Sequence, residues 1–239
     1  MRNSLFSLVR NWRNDRNTKK KCELLQKEGS NTLNAFQRVG KRLNIRFDVM
    51  FGTLLGAYRE HSFIPHDDDI DMVCSIKDLN QQLFSTLREE GFELDRIYVS
   101  SDRVGVQLPM KYNGLTSDIY FMYDDVQSKK RHIILPYAIV GKTWGYSVSH
   151  NIFSAKDIII PYNHKRMIIP FKDTELDVVA NIDEILKCLY GDDYLSPKRN
   201  AHANPPVRYF DIGEKYYTCY PIDLFEESGL IKYIKKDAI

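Results

Sequence analysis

Apolar positions along this chain change period several times, and each change marks an element. Leu5, Leu8, Val9 and Trp12 recur at helical spacing, with Arg10, Asn11 and Asn14 on the other sides. Leu25, Thr32, Phe36, Val39 and Leu43 then hold one stripe in steps of seven, four, three and four, which predicts a longer helix. Asn44 closes it, and residues 45–50 read as a short strand. Gly52 to His61 reads as a glycine-led turn into a short helix, and Pro65 bars a helix from continuing. Asp69 to Cys74 alternates charge and apolarity, as a strand does. Asp78 to Glu90 carries Leu79, Leu83, Phe84 and Leu87 and is a helix ended by Gly91. Strands are predicted at 92–99, 104–110, 116–123 and 133–140, followed by a hairpin-like pair at 157–160 and 166–169. Asn181, with Glu184 three residues on, signs a capping box for a last helix that Gly191 ends. This order predicts an α+β fold, a mixed sheet with flanking helices.

Composition adds limits. A chain of 239 residues, 43% hydrophobic, is long enough to bury a large core, so dominant disorder is excluded. No run of 18 apolar residues exists to span a membrane. Cys22, Cys74, Cys188 and Cys219 form no C-x-x-C pair, which argues against a disulfide framework or zinc knuckle and for the reducing cytoplasm. The net charge of +2 is unevenly placed: residues 1–21 hold seven Arg and Lys against Asp15, leaving the rest at about −4. The body is therefore no basic nucleic-acid surface. Residues 1–20 read as a basic amphipathic segment, suited to an anionic membrane surface or to packing on the domain.

The one conspicuous motif is Asp67-Asp68-Asp69-Ile70-Asp71. Extended, it puts Asp67, Asp69 and Asp71 on one face. Carboxylates so close repel unless neutralised, and carboxylates two apart on a strand share hard divalent cations such as Mg²⁺. A solvated acidic loop would not run straight into Met72-Val73-Cys74. An EF-hand would need Gly where Met72 stands. The D-D-x-x-D of prenyl synthases belongs on a helix, which Pro65 opposes. A D-x-D glycosyltransferase using a nucleotide-sugar donor stays open as the alternative. Upstream, Phe51-Gly52-Thr53-Leu54-Leu55-Gly56 places glycine and a hydroxyl residue at the N-terminus of a helix, where phosphate is favoured. A third acid, Asp118, lies in the 116–123 strand. A Gly-Ser/Thr turn, an acid-x-acid strand and a third acid form the nucleotidyltransferase pattern.

The string Phe51 to Arg59 followed by Phe63 to Asp71 resembles the signature of the LicD/fukutin-related family. Asp118-Ile119 is similar to that family's later acidic strand. Ile168-Ile169-Pro170 with Leu189-Tyr190-Gly191 and Pro197 resembles its C-terminal ending. The resemblance runs from about Asn34 to Pro206, with His66 standing where the family commonly has Trp. It implies a nucleotidyltransferase-like catalytic domain at 21–206 and leaves 207–239 as a C-terminal extension. It implies transfer of a phospho-alcohol, phosphocholine or a relative, from a CDP-activated donor to a hydroxyl of a glycan or lipid-linked glycan, with release of CMP. Asp69, Asp71 and Asp118 would hold one or two Mg²⁺, with Mn²⁺ as a substitute. Gly52 and Thr53 would hold donor phosphate. Asp118 or Asp67 would take the acceptor's proton. Arg59 is a phosphate-contact candidate or a surface partner of Glu60, and Lys198 and Arg199 follow as weaker candidates. His132, His150, His164 and His202 show no ligand spacing.

Overall fold

The computed structural model describes residues 2–197, 207–210 and 213–237, with side chains from Asn17 onward. The two helices expected at the start are one, α1 (Arg2–Leu43). No proline interrupts 13–24, and that polar stretch is rich in good helix formers. The membrane-facing reading of Leu5, Leu8, Val9 and Trp12 rests on side chains outside the described residues, as do Lys198, Arg199 and His202. The stripe on the second half behaves as read: Leu25, Thr32, Phe36 and Val39 are fully buried. Gly29 admits the Phe63 ring, whose Cζ would lie 2.5 Å from an added Cβ.

The chain continues as β1 (Phe47–Val49), α2 (Phe51–Arg59), β2 (Ile70–Ser75) and α3 (Gln81–Glu89). Asn80 caps α3, its side chain accepting the Leu83 N–H at 3.0 Å. Next come β3 (Glu93–Leu94), β4 (Arg96–Ser100), β5 (Val106–Tyr112), β6 (Leu115–Asp125) and β7 (Lys130–Tyr137). Then follow α4 (Trp144–His150), β8 (Phe153–Pro161), β9 (Arg166–Phe171), β10 (Thr174–Val179) and α5 (Ile182–Tyr190). The last elements are β11 (Val207–Phe210), β12 (Tyr216–Pro221) and α6 (Ile222–Glu227).

The α+β class holds, but the strands do not form the open nucleotidyltransferase-like sheet that the resemblance implied. Following hydrogen-bonded neighbours from β6 through β7, β8, β12, β4 and β5 leads back to β6, so the ring closes into a barrel. The closure follows from β5, whose Gln107 end pairs with β4 while the whole strand pairs with β6. Outside the ring, β2 lies parallel to β6, and β1 pairs antiparallel with β2.

The expected hairpin of 157–160 with 166–169 is also corrected. β9 pairs instead with β10 across a tight turn in which Lys172 has φ 50°, and β8 pairs with β7, β11 and β12. Asn181 stands at the N-cap of α5 but makes no capping bond; its amide reaches the Pro161 carbonyl and Glu184 instead.

The core runs between α1, α3 and the barrel. The Phe36 ring lies 5.2 Å from that of Phe47 and 4.6 Å from that of Phe92, joining α1 to β1 and to the segment before β3. Residues after 206 are woven into this core. β12 is hydrogen-bonded to both β4 and β8, Tyr217 is fully buried, and its hydroxyl donates to the Ile134 carbonyl at 2.6 Å. Ending the chain at residue 206 removes one stave of the barrel and bares two strand edges. The shortened protein is expected to show no cooperative thermal transition by circular dichroism. A sharp transition close to that of the full chain would contradict this packing.

Candidate functional site

The site begins with register. Asp71 and Asp118 are direct partners across the parallel β2–β6 pair, so two carboxylates stand side by side on one face of the sheet. Asp69, just before β2, joins them: one oxygen from each of Asp69, Asp71 and Asp118 lies within 4.8 Å of the others. Asp67, Asp68 and Asp69 form a second, overlapping cluster by the same measure. Like charges directly opposite on strands are unfavourable, so this arrangement needs support.

Local structure supplies it. Asp71 is held on both sides of its backbone by the first turn of α2: its N–H donates to Thr53 Oγ1 at 3.0 Å, and its carbonyl accepts the Met50 N–H at 2.9 Å. Thr53 is thereby buried, its hydroxyl fixing the acid-bearing strand to the helix. Gly52 faces Asp67, where an added Cβ would sit 2.5 Å from Oδ2. Any side chain there would push the carboxylate away, which is why glycine opens the helix. Met50, the N-cap residue, offers no side-chain cap to the first N–H groups of α2.

On the neighbouring strands, Gln107 Nε2 donates to Asp118 Oδ1 at 2.6 Å. The Tyr120 hydroxyl hydrogen-bonds Asp71, and the Tyr120 ring meets Phe51 edge-on at 5.3 Å. Lys21 on α1 reaches Asp68 at 3.1 Å, and both partners are solvent-accessible.

Electrostatics follow from this crowding. Burial, then the charges of Asp67, Asp68 and Asp118, pushes Asp69 up to about 7. Burial, then the charges of Asp69, Asp118 and Asp67, holds Asp71 well above the usual carboxylate range, and burial raises Asp118 and Asp67. Four carboxyls that resist ionisation together would be relieved by a cation. The donor set is all oxygen, which suits Mg²⁺. The residues therefore fit the metal that the sequence implied, with Asp69, Asp71 and Asp118 as its holders.

Arg59 shares Tyr190 as a neighbour with Asp67 and Asp71. Its guanidinium pairs with Glu60 at 2.8 Å and donates to the Tyr194 carbonyl at 3.2 Å, fastening α2 to the turn after α5. His66 is exposed beside Asp67. Sequence reasoning missed Gln107, Tyr120 and Lys21. Tyr120 was within reach, since it lies two residues from Asp118 on an alternating strand. Gln107 and Lys21 depend on strand register and on the path of α1, which no local pattern encodes.

Residues 44–151 match the LicD/FKTN/FKRP nucleotidyltransferase domain. The match takes in Gly52, Thr53, Asp67, Asp69, Asp71 and Asp118, and stops before the C-terminal ending that resembled the family. The chain is also 33% identical over 104 residues to the uncharacterized protein T07A5.1 of Caenorhabditis elegans. That alignment covers 42% of this chain and 27% of the worm protein, so the chain spans about a quarter of that relative's length.

The raised carboxyls give a pH signature. Asp69 keeps its proton to about pH 7 in the folded chain, against about 4 for an ordinary carboxylate. The folded state thus binds more protons over that window, and metal-free stability falls as pH rises through it. Mg²⁺ is expected to raise the thermal midpoint at pH 8 by about 5 °C or more and to have little effect at pH 4.5. Differential scanning calorimetry with and without chelator checks this; a midpoint indifferent to Mg²⁺ at pH 8 would contradict it.

Proposed function

Since residues 44–151 belong to the LicD/FKTN/FKRP nucleotidyltransferase family, we propose that this transferase moves a phospho-alcohol from a CDP-activated donor to a hydroxyl of a glycan precursor in a Mg²⁺-dependent reaction. The observation that carries this reading is the convergence of Asp69, Asp71 and Asp118 at the N-terminus of α2. Phosphoryl transfer asks a protein mainly for positioning and charge neutralisation, and the cluster is built for both.

Asp69, Asp71 and Asp118 would hold Mg²⁺, which would supply neutralisation of charge on the donor's phosphate oxygens. The remaining work falls to the chain. The first N–H groups of α2, which no Met50 side chain caps, would receive a donor phosphate. Thr53 keeps Asp71 in place while this happens. The acceptor oxygen attacks the phosphorus that carries the alcohol. Its bond to the bridging oxygen breaks, and CMP leaves with that electron pair. The acceptor's proton passes to Asp118, which Gln107 holds in position; Asp67 is the second choice. Donors consistent with this chemistry include CDP-choline, CDP-ethanolamine, CDP-ribitol and CDP-glycerol.

Among the described residues no helix is long and apolar enough to cross a membrane. On this reading a lipid-linked acceptor would be met at the inner membrane surface, with the basic residues 1–20 as the contact. Arg59 is left to hold α2 against the turn after α5.

Incubation with the four CDP donors is expected to give chelator-sensitive CMP from one of them, by slow hydrolysis if no acceptor is present. Asp71→Asn is expected to cut that rate by about 10²-fold or more. It should keep the fold, with a metal-free thermal midpoint at or above wild type, because a repelling charge is gone. An active Asp71→Asn protein would sink the metal assignment. A nucleoside diphosphate released from a nucleotide-sugar would transfer the case to the D-x-D glycosyltransferase.

A further inference from the structure

Beside the acidic cluster lies the largest of the described cavities, about 580 Å³, over the outer face of β4, β5 and β6. Its volume is in the range that takes a small molecule or one or two sugar units. Of the three clustered carboxylates that would hold Mg²⁺, only Asp118 lines it. Around Asp118 stand Gln107, Thr116 and Lys111, and at the mouth stands Trp144 of α4. Trp144 is 46% exposed, yet it is braced from beneath, its ring 4.8 Å from Phe153 and 6.3 Å from Tyr98. A rigid, half-exposed aromatic face beside hydrogen-bonding groups of mixed sign is an unusual feature for a surface with no ligand.

The strand order decides which half of a transfer reaction this cavity serves. The first turn of α2 packs on β2, on one side of the Asp71–Asp118 pair, whereas β5 and β4 lie on the other side. In-line displacement puts nucleophile and leaving group on opposite sides of phosphorus. If the donor's phosphates are at α2, the incoming hydroxyl arrives from the β5 side. The lining fits that role. Arg96 is bound up with its neighbour Asp95, and Lys111 is balanced by Glu93, so no cationic surplus is left to draw in a diphosphate.

We propose that this cavity is the acceptor subsite, binding a neutral, polyhydroxylated sugar whose C–H face stacks on Trp144 and whose hydroxyl is presented to Asp118. The assignment rests on the transferase reading. Trp144 contributes dispersion over a flat ring face, and Gln107, Thr116 and Lys111 supply donors and acceptors to hydroxyls. This makes Trp144 a determinant of acceptor binding.

Replacing Trp12 by Phe leaves Trp144 as the only tryptophan in the chain, so emission reports the cavity directly. The probes are CMP with Mg²⁺, and the methyl α- and β-glycosides of glucose, galactose and mannose at millimolar concentration. At least one glycoside is expected to change Trp144 emission saturably, and CMP with Mg²⁺ to leave it unchanged. In the full chain, Trp144→Ala is expected to lower the ratio of transfer onto that glycoside to donor hydrolysis by about tenfold. A saturable response to CMP with Mg²⁺ would assign the cavity to the nucleotide and overturn the proposal, as would silence toward all six glycosides or an unchanged ratio in Trp144→Ala. Absence of CMP release from every CDP donor would instead remove the transferase reading, and a glycoside response at Trp144 would still stand.

Discussion

Asp71 and Asp118 meet as register partners on two parallel strands, and their mutual repulsion governs what surrounds them. Nothing in a folding chain favours two carboxylates at that spacing in a half-buried site, with Asp69 added beside them. The arrangement persists because the backbone of Asp71 is tied twice to α2, while Gln107 and Tyr120 give the carboxyl oxygens hydrogen bonds. Those bonds position the acids without cancelling their charge. Lys21 pairs with Asp68 at the rim and makes no ion pair with the three inner acids. A divalent cation would close that charge balance, and the proposed function rests on the same deficit.

The barrel explains how so short a stretch of sequence can hold this geometry. β6 is 11 residues long and pairs with β2, β5 and β7 along different parts of its length. Its early half carries Asp118 and Tyr120 between β2 and the ring strand β5, and its later half pairs with the next ring strand, β7. Asp118 is thus borne on a barrel strand, Asp71 on the strand beside it, and one stave of that barrel comes from residues 216–221. A site distributed over residues 52–118 therefore depends for its rigidity on a segment about a hundred residues further on.

Much of the site was legible in the sequence, because it is written in local terms. A Gly-Thr turn, an acid-x-acid strand and a lone acid on an alternating strand are patterns of adjacent residues, and side-chain alternation sets Asp118 apart from Ile119 and Phe121. The stripe from Leu25 to Val39 was legible for the same reason. What was not legible depends on register and pairing at a distance. Gln107 reaches Asp118 only because β5 and β6 align as they do, and the barrel closes through β12, whose Tyr-rich sequence carries no clear apolar alternation. Thr174 to Val179 escaped notice because Glu175 and Asp177 on its exposed face disguise a hairpin strand. For Arg59 the sequence left two readings, a phosphate contact or a pairing with Glu60, and the fold gives it Glu60 and the Tyr194 carbonyl.

The central claim is that Asp69, Asp71 and Asp118 hold a divalent cation as a unit. Crystals of the protein soaked with Mn²⁺ and measured at the manganese edge test it most directly. The account predicts an anomalous peak about 2.0–2.3 Å from oxygens of all three carboxylates, the spacing of a hard cation with oxygen ligands. A peak bound only by Asp67 and Asp68 at the rim, or no peak at saturating Mn²⁺, would contradict it.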